Sequence, residues 1–342
     1  MIAAHRPAQR PADARLLVID ARGTIVHAPR ARLADFLRRD DLVVANDAAT
    51  LPASLHGAHL ATGAPIEVRL ASRSSFARED LLFGAVVFGD GDWRTRTENR
   101  PLPPPFALGD RLLLGSLSAR VCGLLGHARL IALDFEGEPD SVWAGIARHG
   151  RPIQYAYLDR ALALWDVWAP IAALPVAFEP PSAGFAVDWT FLRTLHERGV
   201  GFATITLAAG ISSTGDPALN ARLPFDEPYR IPATTAAAIA RTKLEGRRVV
   251  AVGTTVVRAL EHSAGHHGEG VANQRIGADT RLSIVDAILS GTHAPQESHY
   301  QLLRAFQGDK VLARAEVALE AAGYLTHEFG DSVLVFSRSD TN

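Results

Sequence analysis

From about Gly57 to Gly137 glycine cuts the chain into short β-like runs, and on either side apolar strands alternate with amphipathic helices. This change of texture narrows the fold more than any other feature. The runs are "PIEVRL", "LLFGAVVFG", "RLLLG", "RVCGLLG" and "RLIALDFEG"; in the first, Ile66, Val68 and Leu70 alternate with polar Glu67 and Arg69, the period of a half-buried strand. Many short strands with glycine-rich turns predict a small β-barrel or sandwich. The proline-rich "RPLPPPFALGD" has too few backbone donors for a central strand or helix and is expected to be a loop. Before this region, "ARLADFLRRDDLVVAND" reads as a short helix and then a strand at Leu42 to Ala45. After Gly150, "DWTFLRTLHERGV" reads as a helix capped by Asp188 and closed by Gly199, "FATITLAAG" as a strand, and "PATTAAAIARTKLEG" as a helix ending at Gly246. "SHYQLLRAF" and "DKVLARAEVALEAAGY" read as further helices and "DSVLVF" as a last strand. Such alternation predicts an α/β fold with a mainly parallel sheet or barrel. The simplest arrangement is a barrel-like α/β domain, discontinuous in sequence over residues 1–54 and 151–342, with a small β-barrel domain inserted at residues 55–150.

Composition excludes several classes. The 342 residues are 47% hydrophobic and 21% charged, an ordinary globular balance. No run approaches the roughly 18 apolar residues that span a bilayer, so no membrane partner is expected. "MIAAHRPAQRPADARLL" has no long apolar core before a cleavage site, and one cysteine, Cys122, gives no disulfide framework. A cytoplasmic location follows as an expectation. The formal charge of −2 offers no global attraction to nucleic acid, although a local basic face would suffice for RNA. Nothing in the sequence defines the oligomeric state.

The chemistry is expected at the carboxyl ends of strands, where α/β folds bind ligands. In "RRVVAVGTTVVRALE", Val249–Val252 read as a buried strand, Gly253, Thr254 and Thr255 as an interruption, and Val256 to Glu261 as a helix. This is either a tight turn with a threonine cap or a pocket for an anionic or polar ligand. Arg258 then lies at a pocket or on a solvated face. Asn46 and Asp47 follow a strand, where they either form a turn, hold a ribose or act as a base. Glu179, Ser182 and Gly184 lie in "FEPPSAGF", Ala208 in "TLAAGISSTGD", and His293, Glu297 and His299 in "SGTHAPQESHY". Neither a Walker A nor a dinucleotide-binding glycine pattern occurs, and no Gly-x-Ser-x-Gly elbow stands at a strand–helix turn. His262, His266, His267 and Glu269 match no zinc spacing, so no metal is expected.

Taken in order, "NDAATLPASLHG", "TGAPIEVRL", "RPIQYAY", "PPSAG", "RRVVAVGTTVVRALE", "VDAILSGTHAP", "LLRAF" and "EFGDSVLVF" resemble the S-adenosylmethionine:tRNA ribosyltransferase-isomerases over nearly the whole chain. The resemblance implies an α/β barrel-like domain carrying an inserted β-barrel. It implies transfer of the ribosyl part of S-adenosylmethionine, as co-substrate, to 7-aminomethyl-7-deazaguanine in tRNA, giving epoxyqueuosine, adenine and methionine. It also implies Gly253, Thr254, Thr255 and Arg258 as donor-binding residues and His293 as an acid/base group; by their positions after strands, Asn46, Glu179, Ser182 and Gly184 are expected beside the donor and Asp47 as a further acid/base candidate.

The chain departs from the family pattern at several places. "APTAGLHFT" becomes "PPSAGFAVDWT", with Phe185 and Ala186 at the Leu-His pair, and "TLHVG" becomes "TLAAG", with Ala208 at the histidine. "H-x-M-H-x-E" becomes "RLPFDE", keeping Glu227 but placing Arg222 and Phe225 at the histidines; "TNFHLP" becomes "SGTHAP", keeping His293. These losses and the net charge favour a small-molecule acceptor, or cleavage of the donor alone, over tRNA, while the overall resemblance favours tRNA. A non-catalytic binding protein is the third reading.

Overall fold

The computed structural model describes residues 1–293, 295 and 297–338. Nine strands form one open sheet in the order Gly268–Ala272, Glu227–Ile231, Gly201–Leu207, Leu42–Asn46, Val249–Val252, Ala287–Gly291, Ser332–Phe336, Arg15–Ile19, Ile25–Pro29. The parallel character expected from the sequence is concentrated at the centre. Gly201–Leu207, Leu42–Asn46, Val249–Val252 and Ala287–Gly291 are parallel neighbours, so their carboxyl ends emerge along one edge. Ser332–Phe336 then runs antiparallel to Ala287–Gly291 and parallel to Arg15–Ile19, and both outer flanks are antiparallel.

Successive residues of a strand point to opposite faces, and here both faces are covered. Leu16, Val18, Val43, Ala45, Val250 and Val252 pack with Leu33 and with Leu195 of the helix Trp189–Glu197. Leu17, Ile19, Leu42, Val44, Val249 and Ala251 pack on the opposite side with Val256, Val257 and Leu260 of the helix Thr254–His262. Strands buried on both faces read as continuous apolar runs, which is why "RLLVI" and "VVAV" carry no polar alternation.

Between Ser54 and Glu136 six strands close into a barrel, in the order Leu117–His127, Leu130–Glu136, Leu82–Phe88, Pro65–Ser72, Ser54–His59, Arg111–Leu114. The helix Pro139–His149 follows. Entry and exit of this region meet, since Ser54 and Arg151 exchange two backbone hydrogen bonds of 2.9 and 2.8 Å. The closing seam pairs Gly57 with Leu114, and a Cβ on Gly57 would lie 1.9 Å from the Leu113 carbonyl oxygen. Only glycine fits there. Leu55, Val68, Leu70, Phe83, Ala85, Val87, Leu112 and Leu133 fill the interior and belong to the same apolar cluster as one face of the large sheet.

The strand Pro65–Ser72 departs from the expected half-buried pattern. Glu67 and Arg69 point away from the barrel interior yet are 2% and 1% exposed. Groups distant in sequence cover this face: Arg100 reaches Glu67, and the Arg69 guanidinium lies 5.6 Å from the Tyr155 ring centroid, while Gly89 and Arg129 hold the Pro101 carbonyl at 3.0 and 2.8 Å. Glu67 accepts from Arg69 at 2.7 Å, from Ser54 Oγ at 2.8 Å, and from Arg100. The two guanidinium groups outweigh burial and hold the Glu67 carboxyl down at about 2.

Candidate active site at the carboxyl ends of the parallel strands

The four central strands bring the loops after Asn46, Leu207, Val252 and Gly291 to one edge, whereas "FEPPSAGF" follows Leu174–Ala177, which pairs with Ala48–Thr50 outside that sheet. At Val249–Val252 the backbone turns at Gly253, whose φ of +97° favours glycine, and enters the helix Thr254–His262. A Cβ on Gly253 would stand 3.6 Å from Ala183 Cβ and 3.7 Å from Thr255 Oγ1, ordinary contacts. Backbone conformation, rather than crowding within the protein, therefore requires glycine here. No side chain caps the helix. Thr254 and Thr255 thus do not form the threonine cap that the sequence left open.

Ala183 belongs to a single 3₁₀ turn, Ser182–Ala186, so "PPSAG" lies directly against the Gly253 turn. Ser182 is half-buried, while Gly184 is buried with Ala169 behind it. The next strand ends in Asn46, 1% exposed. Its Nδ2 donates to the Leu207 carbonyl at 2.9 Å, and its Oδ1 accepts from the amides of Leu207 and Ala48 at 3.0 Å each. Asn46 thereby locks two strand ends together, and only one donor remains for a ligand. Asp47 is half-buried; one carboxylate oxygen accepts from Thr206 Oγ1 at 2.7 Å.

Glu179 is buried and accepts from the Ser212 amide at 2.9 Å and from the Tyr155 hydroxyl. Burial, reinforced by the nearby Glu328 charge, pushes its carboxyl up to about 7. Tyr155 stacks on Tyr157 (5.9 Å between centroids, 13° between planes), and Tyr157 on His327 (4.5 Å, 14°). The Tyr157 hydroxyl donates to Glu328. Glu179, Glu328 and Tyr155 line one small cavity with Gln154, Pro180 and Phe329. Tyr155, Tyr157 and Glu328 were not singled out as site residues, although "RPIQYAY" and "EFGDSVLVF" contain them. Position within those motifs was the available signal.

His293 follows Ala287–Gly291; its Nδ1 lies 2.8 Å from Glu297 Oε2, and its ring stacks on His299 at 4.3 Å and 10°. Burial, with His293 and other neighbours, pushes His299 down to about 3.

Arg258 lies neither at an open pocket nor on a solvated face. It is 3% exposed, pairs with Glu227, and donates to the Ala272 carbonyl at 2.7 Å and the Gln274 carbonyl at 3.2 Å. Glu227 in turn accepts from the Gly210 amide at 2.9 Å, holding the "TLAAG" loop. The replaced family positions have other uses. Ala208 is buried, Arg222 donates to the Leu125 carbonyl of the barrel at 2.7 Å, and Phe225 packs against Ile211, Leu219 and Leu223.

The family model described as queuosine biosynthesis protein matches residues 1–335, end to end across the sheet, the barrel and the site. The chain belongs to this family. A relative from Pelobacter propionicus is 32% identical, over 97% of this chain and 95% of its own, and one from Sorangium cellulosum is 32% identical over 97% and 94%. A third, from Thermus thermophilus, is 32% identical over 94% and 92%. All three are S-adenosylmethionine:tRNA ribosyltransferase-isomerases. The fold is also that of a crystal structure from Thermotoga maritima, described as an S-adenosylmethionine tRNA ribosyltransferase. That match has a TM-score of 0.51 at 24% identity and covers 97% of this chain and 96% of the other. Family membership thus coexists with Phe185, Ala186, Ala208, Arg222 and Phe225 at the positions where the chain departs from the motifs of the resemblance.

Proposed function

We propose that this chain is a ribosyltransferase-isomerase that moves the ribosyl part of S-adenosylmethionine onto 7-aminomethyl-7-deazaguanine in tRNA. Family membership supplies the reaction, and the observation that supports its location is the contact of the Gly253 turn, at the carboxyl end of Val249–Val252, with the Ser182–Ala186 turn. The donor lies over Gly253, Thr254 and Thr255, with Ser182 and Gly184 closing one side. Asn46 and Arg258 support this floor from behind. Reaction starts with removal of a proton beside the sulfonium, whose charge acidifies the neighbouring C–H. Asp47 and His293 are the proposed acid/base groups, and Glu179, held near neutrality, is a third proton carrier within the same set of loops. Adenine leaves, the aminomethyl group attacks, and methionine departs as the sugar carbons rearrange. The sulfonium is its own good leaving group, so no metal is needed for these steps. The chain divides, in this reading, into an α/β catalytic domain of residues 1–54 and 151–342 and a barrel domain of residues 55–150, working in the cytoplasm.

The test is incubation of purified protein with S-adenosylmethionine, with and without tRNA carrying the deazaguanine, and mass spectrometry for adenine and for epoxyqueuosine. Both products with tRNA are expected. Adenine without tRNA would shift the acceptor to a small molecule or water, and no adenine under either condition would overturn the reading.

A further inference from the structure

The strand Ala287–Gly291 leaves the sheet at the site edge, and the chain returns within a few residues as the helix Ser298–Leu303. This short return brings together three side chains that a solvated loop would keep apart. One ligand-type atom from each of His293, Glu297 and His299 lies within 4.8 Å of the other two. His293 Nδ1 and Glu297 Oε2 are 2.8 Å apart, and the two imidazole rings are nearly parallel at 4.3 Å.

We propose that His293, Glu297 and His299 form a binding site for a divalent ion of the zinc class. Two imidazoles and a carboxylate are the ligand set of open zinc sites, with bonds of about 2.0–2.2 Å. Ligand atoms sharing one such ion stand about 2.9–4.2 Å apart. His293 Nδ1 and Glu297 Oε2, at 2.8 Å, stand just short of that spacing, and all three ligand atoms lie within 4.8 Å of one another, so small side-chain adjustments bring the set to it. All three side chains are half-buried rather than sealed, which leaves a fourth position for solvent. Arg258, whose positive charge reaches His299, is paired with Glu227, and Glu297 supplies the negative charge on the cluster itself.

Binding at Nδ1 requires that nitrogen to be free of a proton, and the hydrogen bond to Glu297 is exchanged for bonds to the ion. With the metal on Nδ1, the ring's remaining proton is on Nε2, which can then donate but not accept. The ion thus fixes which half of an acid/base cycle His293 can perform. That consequence rests on the ribosyl-transfer reading; the metal site itself does not.

The experiment uses the full chain, stripped with chelator and titrated with Co²⁺ while visible absorption is recorded, then with Zn²⁺ in competition. One equivalent of Co²⁺ is expected to bind with d–d bands that Zn²⁺ abolishes. Losing an outer-shell partner costs about 10–100-fold in metal affinity, so removing a ligand by His299→Ala or Glu297→Gln should cost at least about 100-fold. Glu297→Gln keeps the side-chain volume, and circular dichroism checks the fold of both variants. His266→Ala with His267→Ala, in the exposed loop after the helix Thr254–His262, should change nothing. The proposal is overturned by absence of a Co²⁺ spectrum, by binding that survives both single variants, or by binding lost with His266 and His267. Adenine release by the stripped protein reports separately on ribosyl transfer.

Discussion

Two buried glutamates, one outside the barrel wall and one at the ends of the sheet, are in opposite states. Glu67 has Arg69, Arg100 and Ser54 on its oxygens and is held at about 2. Glu179 has one amide and one phenol, faces the cavity it shares with Glu328, and is pushed up to about 7. Burial disfavours the charge of both; the partners decide the outcome. At the barrel the carboxylate is completed by cations of its own chain. At the strand ends it is not, which is how a site that handles protons differs from a scaffold.

The sharpest way to break the contrast is to remove the barrel's carboxylate. Glu67→Ala leaves Arg69 and Arg100 buried without a counter-charge, and the expected loss of stability is about 3–5 kcal/mol. Urea denaturation at neutral pH measures it, and a loss below about 1 kcal/mol would show the network to be dispensable. Next, His293→Ala is expected to lower the rate of adenine release by about 10²–10⁴-fold with folding unimpaired; an unchanged rate removes His293 from the chemistry.

Opposite pH dependences sharpen the comparison further. Because the folded carboxyl of Glu67 is depressed from 4.5 to about 2, its stabilisation is complete above 4.5 and is lost as pH falls through that window. The folded carboxyl of Glu179 is raised from 4.5 to about 7, so its ionisation costs nothing below 4.5 and its full penalty above 7. Glu179→Gln should therefore raise stability at pH 8 by on the order of 3 kcal/mol relative to its effect at pH 4. Thermal melts at the two pH values decide this, and an equal effect at both would mean that folding does not raise the Glu179 carboxyl. The smallest effect is expected at the turn. Gly253→Ala forces a side chain into φ +97° with room for its Cβ, a strain of about 1–2 kcal/mol. Calorimetry with S-adenosylmethionine should also show weaker binding, and unchanged affinity would move the donor away from Gly253.

Legibility in the sequence followed distance along the chain. The strand-turn-helix at Val249 to His262, the cap at Asp188 and the glycine-punctuated strands are local patterns and were readable. Barrel closure was not, because Ser54–His59 must find Arg111–Leu114 across two intervening strands. Nor was the burial of Glu67 and Arg69, which depends on Arg100 and Tyr155 arriving from distant segments onto an otherwise amphipathic strand. At the site, the loops were visible but their internal commitments were not. Asn46 meets Leu207, Tyr155 meets Glu179, and Arg258 meets Glu227 through pairings that no spacing rule announces.

The Arg258 pairing has a consequence for tolerance. The helix that starts at the Gly253 turn is joined by its guanidinium to Glu227, and Glu227 is joined by an amide to the loop at Gly210. A Cβ on Gly210 would come within 3.2 Å of the Ala71 carbonyl oxygen, so that loop also rests on the barrel. The helix, the loop and the barrel strand that holds Ala71 are therefore linked through two hydrogen-bonded contacts and one close approach with little clearance. Positional error at the turn is limited to what such contacts allow, about the 0.5 Å that placing a reacting group demands.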